Sequence, residues 1–245
     1  MRTYRFTPEL LGSGDLILVN GEHPLRQAPE GLTPVPGGGA DCLLLPRAAR
    51  AVSDTLAVLE CGERIVPVSA FRSHGEQIQL YADCLRENGP EYTAQFVAKP
   101  GCSEHETGLA IDLGENREEI DFIAPAFPYQ GVCHGFRLLA PRFGLIQRYE
   151  AGKEPVTGIG EEPWHFRYVG TPHSEIMVQE GLNLEEYVDW LRRFSPRMPL
   201  RRGRTAVFFL PYQEQGAFSL PDGPGVTVSG NNVDGCIVTI REVAA

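Results

Sequence analysis

Apolar residues recur along this chain with two different periods, one helical and one typical of strands. Between residues 46 and 59 they recur every three or four positions, and residues 77–85 repeat this pattern up to the segment Asn88-Gly89-Pro90. Both stretches predict amphipathic helices, and the Gly-Pro pair predicts where the second helix ends. Residues 182–191 predict a third helix, with carboxylates near its start and arginines at its end, as the helix dipole favours. We expect this third helix to close the main domain.

Other apolar runs are short or alternate with other residues, which predicts β-strands. Within residues 109–114 the alternation is strict, and it places Asp112 on the face opposite the core-facing side chains. Residues 24–39 are dense in Pro and Gly and predict a loop. The remaining predicted strands cover residues 16–20, 65–69, 164–169, 207–210, 226–228 and 237–240.

The mixture of helices and strands, with 27 Gly and 20 Pro in no short repeat, favours a loop-rich α+β fold. The 245 residues, 42% of them hydrophobic, are enough to bury a substantial core. Residues 196–204 form a basic connector that contains proline. We therefore expect a main domain over residues 1–195 and a small β-rich extension over residues 196–245, in which no chemistry-bearing motif is visible.

The composition of the chain indicates which partners are unfavourable and in which compartment we expect the protein. The formal net charge of -10 makes nucleic acid and anionic membranes unfavourable partners, because the long-range field has the wrong sign, and a small or cationic substrate is easier to accommodate. No apolar run approaches the roughly 20 residues of a membrane span, and the start of the chain lacks a signal-peptide pattern. The six cysteines are scattered without a CxxC pair, which favours reduced thiols. We expect a cytoplasmic protein, and the sequence carries no signal for its oligomeric state.

Three residues, His105, Asp112 and His165, have the side chains that a catalytic zinc ion requires. Such a site uses three protein ligands and leaves one position for water. His105 and Asp112 lie seven residues apart, which a straight strand would convert into about 20 Å, so the chain must turn between them. Gly108 lies where we expect this turn, because glycine accepts backbone angles that other residues avoid.

Two further residues have the chemistry for peptide hydrolysis. Glu162 precedes His165 by three positions and could take a proton from a water molecule beside the metal, although an acidic turn is the alternative. A regular strand would place these two side chains on opposite faces, but Pro163 breaks the ladder and predicts a bulge or kink. Arg72 follows a predicted buried strand, and its fixed charge could stabilise a substrate carboxylate or an oxyanion. Taken alone, Arg72 would be a salt-bridging surface residue.

Three segments, taken in order, resemble the zinc D-Ala-D-Ala carboxypeptidase family, which includes VanY-type carboxypeptidases, VanX dipeptidases and the bifunctional VanXY enzymes of vancomycin resistance. The resemblance covers most of residues 10–190. Ala70 and Phe71 depart from the Gly and Tyr that are common at these positions of the family, and neither carries the chemistry. The segments are SAFRS at residues 69–73 with Gln77 and Tyr81, PGCSEHETGLAIDL at residues 100–113, and EPWHFRYVG at residues 162–170.

The resemblance implies a fold and a role for each matching residue. The fold would be a central, mostly antiparallel sheet flanked by helices, as in Hedgehog and D,D-peptidase domains, and the β extension would lie outside this family core. The cofactor would be Zn2+. The implied roles are metal ligand for His105, Asp112 and His165, general base for Glu162, transition-state stabilisation for Arg72, and contact with the terminal groups of the substrate for Ser103 and Gln77.

The implied substrate is a peptidoglycan precursor ending in D-Ala-D-Ala, from which hydrolysis removes the terminal D-Ala. We expect a D,D-carboxypeptidase, with D,D-dipeptidase activity as a further expectation, and a cytoplasmic location would direct it to free D-Ala-D-Ala or nucleotide-linked pentapeptide. An L,D-carboxypeptidase or murein endopeptidase stays open, since these share the zinc ligands and differ in the pocket. A noncatalytic zinc-bearing module is the poorer alternative, because Glu162 and Arg72 are both present.

Overall fold

The computed structural model describes residues 1–242 and divides the chain into two compact units. One unit comprises Val19–Asn183, and the other comprises Met1–Leu18 together with the residues from Leu184 onward. The strands are β1 (Arg2–Arg5), β2 (Thr33–Pro34), β3 (Leu43–Leu44), β4 (Ile65–Ser69), β5 (Ala110–Glu115), β6 (Leu145–Tyr149), β7 (Glu162–Tyr168), β8 (Leu200–Arg202), β9 (Thr205–Pro211), β10 (Ala217–Leu220), β11 (Val226–Gly230) and β12 (Gly235–Arg241). The α-helices are α1 (Pro8–Leu11), α2 (Pro46–Leu59), α3 (His74–Phe96), α4 (Gly131–Leu139), α5 (Glu154–Thr157), α6 (His173–Glu180) and α7 (Leu184–Leu191). Short 3₁₀-helices cover Gly62–Arg64, Glu104–Thr107 and Ala140–Phe143.

The larger unit is built around an antiparallel sheet with the strand order β4-β5-β7-β6. Strand β5 lies inside this sheet, and its residues from Ala110 to Gly114 are buried. Helices α2 and α6 pack against β6, and α4 packs on the sheet through the edge of Phe136, whose ring centroid lies 4.9 Å from that of Phe166. The predicted α+β class and the central antiparallel sheet with flanking helices are therefore confirmed.

Helix α2 shows how the apolar period sets this architecture. Pro46 occupies its first turn, where a missing backbone N–H costs no hydrogen bond. The side chains of Ala48, Val52 and Thr55 form its buried face. The hydroxyl of Thr55 donates to the carbonyl of Ala51, so this polar group is satisfied inside the core. The helix predicted over residues 46–59 is confirmed.

Helix α3 follows the loop after β4 and begins with a capping box. The hydroxyl of Ser73 accepts the backbone N–H of Glu76, and the Glu76 carboxylate accepts the backbone N–H of Ser73. The backbone leaves the helical region at Gly89 (φ 80°), so the first segment of α3 ends where the sequence predicts, and a second segment that was not predicted continues from Pro90 to Phe96. Even α3 does not qualify as a membrane span, and no helix within residues 1–242 has the length and apolar character to cross a bilayer.

The smaller unit is mainly β-structure. Its larger sheet is antiparallel with the strand order β11-β12-β9-β8, and β1 pairs separately with β10. The strands predicted over residues 207–210, 226–228 and 237–240 are confirmed as parts of β9, β11 and β12. Helix α7 confirms the third predicted helix, and its contacts assign it to this unit. Its closing of the main domain stays a prediction.

The N-terminal residues differ most from expectation, because the predicted strand at residues 16–20 is wrong. Leu16 and Leu18 are buried, yet their backbone groups are satisfied one by one and not by a strand ladder. The N–H of Leu16 donates to Ser229 Oγ (2.9 Å), and that of Leu18 donates to the carbonyl of Asn231 (3.0 Å). The predicted domain boundary between residues 195 and 196 stays a prediction. The pairing of β1 with β10 joins the start of the chain to the C-terminal strands.

Candidate active site

The seven residues singled out by the sequence line one pocket in the larger unit. The loop after β4, helix α3, the 3₁₀-helix before β5, and strands β5 and β7 each contribute to it. The seven are Arg72, Gln77, Ser103, His105, Asp112, Glu162 and His165. The rest of the lining consists of Glu104 and of apolar and aromatic residues, none of which the sequence singled out. The apolar and aromatic ones include Leu80, Phe96, Val97, Phe122, Ile123, Tyr149, Ile159 and Trp164.

A tight turn brings His105 and Asp112 together. It passes through Gly108, which has φ +66°, a conformation that favours glycine. A Cβ at this position would lie 2.8 Å from Cδ2 of Leu32, so the space also favours glycine. As a result, Nε2 of His105 lies 3.0 Å from Oδ2 of Asp112. The turn expected between these two residues is confirmed.

A bulge in β7 brings Glu162 and His165 to the same pocket. Gln147 of β6 pairs with Phe166, but Tyr149 pairs with Glu162, so three residues of β7 lie opposite a single residue of β6. The extra residues include the proline and re-aim the side chains that a regular ladder would place on opposite faces. Oε2 of Glu162 lies 3.6 Å from Nδ1 of His165, and both side chains are buried. The predicted bulge is confirmed.

The two imidazoles and the carboxylate form a convergent cluster. Asp112 lies between the rings, with Oδ1 2.9 Å from Nδ1 of His165 and Oδ2 3.0 Å from Nε2 of His105. Nδ1 of His105 hydrogen-bonds to the carbonyl of Ala70 (2.6 Å), so Nε2 of this ring is the atom directed at the cluster. One potential ligand atom of each residue lies within 4.8 Å of the others. Donor atoms of a tetrahedral zinc site lie about 3.3 Å apart, so this chemistry and spacing fit zinc.

Burial and mutual charge perturb every acid and base in this cluster. Burial raises the pKa of Glu162 to about 8, and the charges of Asp112 and Glu104 contribute to the increase. Burial alone would lower the pKa of His165, but its interactions with Asp112, Glu104 and Glu162 outweigh this effect and raise the pKa to about 10. Despite its burial, Asp112 has a pKa below the usual range because His105 and His165 flank it. A bound cation would favour the deprotonated forms of all these groups.

The guanidinium of Arg72 is held in place by two hydrogen bonds. Nη1 donates to Oε1 of Gln77 (2.9 Å), and Nη2 donates to Oγ of Ser69 (2.8 Å). Gln77 is fully buried, and its Nε2 donates to the carbonyl of Ala98 (2.7 Å). Burial lowers the pKa of Arg72, but an arginine stays charged at any physiological pH. Gln77 and Ser69 therefore fix a permanent positive charge at the pocket.

Ser103 lies on the pocket wall, where its backbone is fixed by Glu106. The carboxylate of Glu106 lies 3.4 Å from the N–H of Ser103, accepts the N–H of Gly101 at 2.8 Å, and contacts Nδ1 of His74 at 2.8 Å. The side chain of His74 is 63% exposed and turns toward Glu106. His74 therefore supports the segment before the 3₁₀-helix.

A buried ion-pair cluster behind the site was not predicted. Oε1 of Glu104 accepts a hydrogen bond from Nε of Arg148 (2.8 Å) and lies 2.9 Å from Nη1 of Arg167, and all three side chains are fully buried. Burial opposes ionisation of Glu104, but the two guanidiniums outweigh it and hold the pKa of this carboxyl well below its usual range. Its Oε2 lies 3.5 Å from Nε2 of His165. Charged residues are rarely this buried, so the sequence alone offers no reason to pair these positions.

Comparison with known proteins relates this site to one family. A family model described as VanY, D-alanyl-D-alanine carboxypeptidase, matches residues 44–171, which include all seven pocket residues singled out by the sequence. The bifunctional D-Ala-D-Ala dipeptidase and D-Ala-D-Ala carboxypeptidase VanXYC of Enterococcus gallinarum is 41% identical over 179 residues, which are 72% of this chain and 94% of that protein.

Solved structures extend the similarity beyond the family model. The vancomycin-resistance D,D-dipeptidase VanXYg, crystallised with a D-Ala-D-Ala phosphinate analogue, superposes with a TM-score of 0.95 at 40% identity and covers 98% of this chain and 99% of its own. A mutant of the D,D-pentapeptidase VanY from a VanB-type resistance cassette, crystallised with Zn(II), gives a TM-score of 0.60 at 27% identity and covers 71% of this chain and 98% of its own. The first match includes residues of both units.

Proposed function

Because this chain belongs to the VanY family of D-alanyl-D-alanine carboxypeptidases, we propose that it is a zinc peptidase that removes the terminal D-Ala from peptides ending in D-Ala-D-Ala. The observation that carries this proposal is the convergence of five side chains on one pocket. Two imidazoles and a carboxylate form the candidate metal cluster, and a second buried carboxylate and a guanidinium flank it. This combination suits hydrolysis of a peptide bond better than recognition alone.

We assign the zinc ion to His105, Asp112 and His165. The support for this assignment is the convergence of their donor atoms, the burial of all three residues, and the Zn(II) present in the related VanY structure. When bound, zinc supplies Lewis acidity for the attacking water and for the scissile carbonyl. The protein groups around it supply the proton transfer and the fixed positive charge.

Glu162 is the proposed general base. It takes a proton from the attacking water as the water oxygen adds to the carbonyl carbon before the terminal D-Ala. It then gives this proton to the leaving amine as the C–N bond breaks, which balances the hydrolysis. The support for this role is the burial of Glu162 and its place 3.6 Å from Nδ1 of His165.

Arg72 and its neighbours are the proposed substrate contacts. The guanidinium, fixed by Gln77 and Ser69, offers N–H groups to the oxyanion that forms on the carbonyl or to the substrate carboxylate. Ser103 is proposed to bind a terminal group of the substrate from the opposite loop. Gln77 retains a direct role only through the second hydrogen of its amide nitrogen and the second lone pair of Oε1, because its other hydrogen-bonding capacity is used by Arg72 and Ala98.

We further propose that free D-Ala-D-Ala is a substrate, so that the chain acts as dipeptidase and carboxypeptidase. The observation that favours this is the match to bifunctional VanXYC and to VanXYg, the latter over 98% of the chain. The cytoplasm is the proposed compartment, supported by the six cysteines, all of which are unpaired within residues 1–242. Both small precursors of the cell wall would be available there.

A substrate panel tests these assignments. The zinc-loaded protein should release D-Ala from D-Ala-D-Ala and from a muramyl-type pentapeptide, but not from a tetrapeptide whose terminal bond joins an L-centre to D-Ala. Release from the pentapeptide alone would restrict the activity to a carboxypeptidase. Release from the tetrapeptide alone would identify an L,D-carboxypeptidase, and binding without release from any peptide would favour the noncatalytic module.

A further inference from the structure

The carboxylate of Glu104 lies behind the candidate ligands and is not used by the proposed hydrolysis. We propose that Glu104 is a positioning residue for the metal centre: it accepts a hydrogen bond from Nε2–H of His165 and so keeps the Nδ1 lone pair of that ring free for zinc. This inference rests on the proposed zinc site and extends it to a residue that is not one of the ligands.

The two histidine rings are oriented in opposite ways. His105 hydrogen-bonds through Nδ1 to the carbonyl of Ala70, which leaves Nε2 directed at Asp112. His165 instead directs Nδ1 at Oδ1 of Asp112 (2.9 Å), so its Nε2 points away from the cluster. A neutral imidazole binds metal through one nitrogen and carries its proton on the other. Each ring therefore needs an acceptor on its outer nitrogen, and for His105 this is the carbonyl of Ala70.

Glu104 offers that acceptor to His165. Nε2 of His165 and Oε2 of Glu104 are both buried without a hydrogen-bond partner among residues 1–242, and they lie 3.5 Å apart. This separation is slightly too long for a good hydrogen bond and is short enough to close with a small side-chain rotation. Two buried polar atoms left unsatisfied would cost free energy, which their mutual bond removes.

The charge on Glu104 determines the direction of this bond. Nε of Arg148 and Nη1 of Arg167 lie 2.8 and 2.9 Å from its Oε1, and this pair of fixed cations keeps the carboxylate ionised. An ionised carboxylate has no hydrogen and can only accept. His165 must therefore present Nε2–H to it, so Nδ1 is the nitrogen that gives up its proton when zinc binds.

The variant Glu104→Gln separates the positioning role from a purely structural role in which Glu104 only neutralises the two arginines. In this variant the amide oxygen must face the donors of Arg148 and Arg167, so the amide NH2 faces Nε2 of His165. An NH2 group in that place needs an acceptor and favours the tautomer with the proton on Nδ1. Zinc binding must then reverse this tautomer and leave two N–H groups face to face.

The experiment measures zinc affinity by competition with a chromogenic chelator, together with the 15N–1H NMR signals of the histidine rings. Glu104→Gln should weaken zinc binding on the order of 10- to 100-fold relative to the wild type, and in its zinc-loaded form the Nε2–H of His165 should exchange with water faster than in the wild type. The control Arg148→Lys keeps a positive charge beside the carboxylate of Glu104 and loses the hydrogen bonds of the guanidinium. It should lose stability and keep zinc affinity within a few-fold of the wild type.

The outcomes separate this inference from the proposed function. A wild type that does not bind zinc contradicts the zinc site itself. A wild type that binds zinc, with a folded Glu104→Gln that binds it equally well and keeps a slowly exchanging Nε2–H on His165, contradicts the positioning role alone. If Glu104→Gln does not fold, the zinc-loaded wild type decides: a slowly exchanging Nε2–H on His165 supports the role, and a His165 that carries its proton on Nδ1 overturns it.

Discussion

Glu162 and His165 are three positions apart on one strand, and their side chains nevertheless meet, with Oε2 of Glu162 3.6 Å from Nδ1 of His165. The bulge that includes Pro163 makes this contact possible, since an uninterrupted ladder would place the two residues on opposite faces of the sheet. A proton acceptor thus lies beside the candidate metal cluster without being one of its three ligands. Substitutions of Glu162 should therefore affect turnover, and substitutions of the three ligands should affect both metal binding and turnover.

Replacing the proposed base should separate catalysis from metal binding. Glu162→Gln keeps the shape of the side chain and removes its ability to take a proton, so we expect a loss of about 10²- to 10⁴-fold in kcat with zinc still bound. The adjacent Glu161, whose Oε1 accepts the hydroxyl of Tyr129, offers a matched control. Steady-state D-Ala release and zinc content should show a large effect for Glu162→Gln and a small one for Glu161→Gln. Near-normal turnover by Glu162→Gln would overturn its role.

The planar shape of the Arg72 guanidinium should contribute to turnover in addition to its charge. Arg72→Lys keeps a positive charge but replaces the planar guanidinium, which donates to Gln77 and Ser69 through two different nitrogens, with a single nitrogen. We expect kcat to fall by about 10²- to 10³-fold, as for loss of an oxyanion donor, with zinc affinity unchanged. Kinetics on D-Ala-D-Ala with a parallel zinc titration would measure this. A lysine variant as active as the wild type would show that a point charge is sufficient.

Gln77 should act through Arg72. Gln77→Leu leaves Nη1 of Arg72 and the buried carbonyl of Ala98 without the partners that the glutamine now provides. Each lost partner costs about 1–3 kcal/mol of folding stability, which chemical denaturation can measure. In a double-mutant cycle with Arg72→Lys, the two effects on kcat should not add, because both displace the same guanidinium. Fully additive effects would indicate that Gln77 has an independent role in catalysis.

The turn at Gly108 should be needed for both stability and the metal site. Gly108→Ala forces a left-handed conformation and places Cβ 2.8 Å from Leu32. Gly181 is a matched control, with φ +67° and open space where a Cβ would lie, so Gly181→Ala should cost only the backbone penalty of about 1–2 kcal/mol. We expect Gly108→Ala to cost more and also to weaken zinc binding, because His105 moves with the turn. Equal stability losses and unchanged zinc affinity would contradict this.

Much of the larger unit could be predicted because its periodic patterns are local. The helix over residues 46–59, the break in α3 at Gly89, and the bulge next to Pro163 each depend on a few neighbouring residues. Glycine and proline restrict the backbone wherever they occur, so their effect does not depend on the rest of the fold. The same property made the turn at Gly108 predictable.

Features that depend on residues distant in sequence could not be predicted in this way. Leu16 and Leu18 have the apolar character of a strand, but their backbone partners lie more than 200 positions away, at Ser229 near the end of β11 and at Asn231 just after it. The burial of Glu104 likewise depends on an arginine 44 residues further along the chain, Arg148. A hydrophobic pattern indicates which residues are buried. It does not identify which distant groups form hydrogen bonds or ion pairs with a buried backbone group or charge.

The most direct test of the central claim is zinc-dependent release of D-Ala from D-Ala-D-Ala. Metal-depleted protein would be assayed before and after addition of one equivalent of zinc, with His165→Ala as a variant that lacks a proposed ligand. The zinc site predicts no activity without metal, recovery at one equivalent, and no recovery in the variant. Full activity in the metal-depleted protein, or equal recovery in His165→Ala, would contradict a zinc peptidase built on this site.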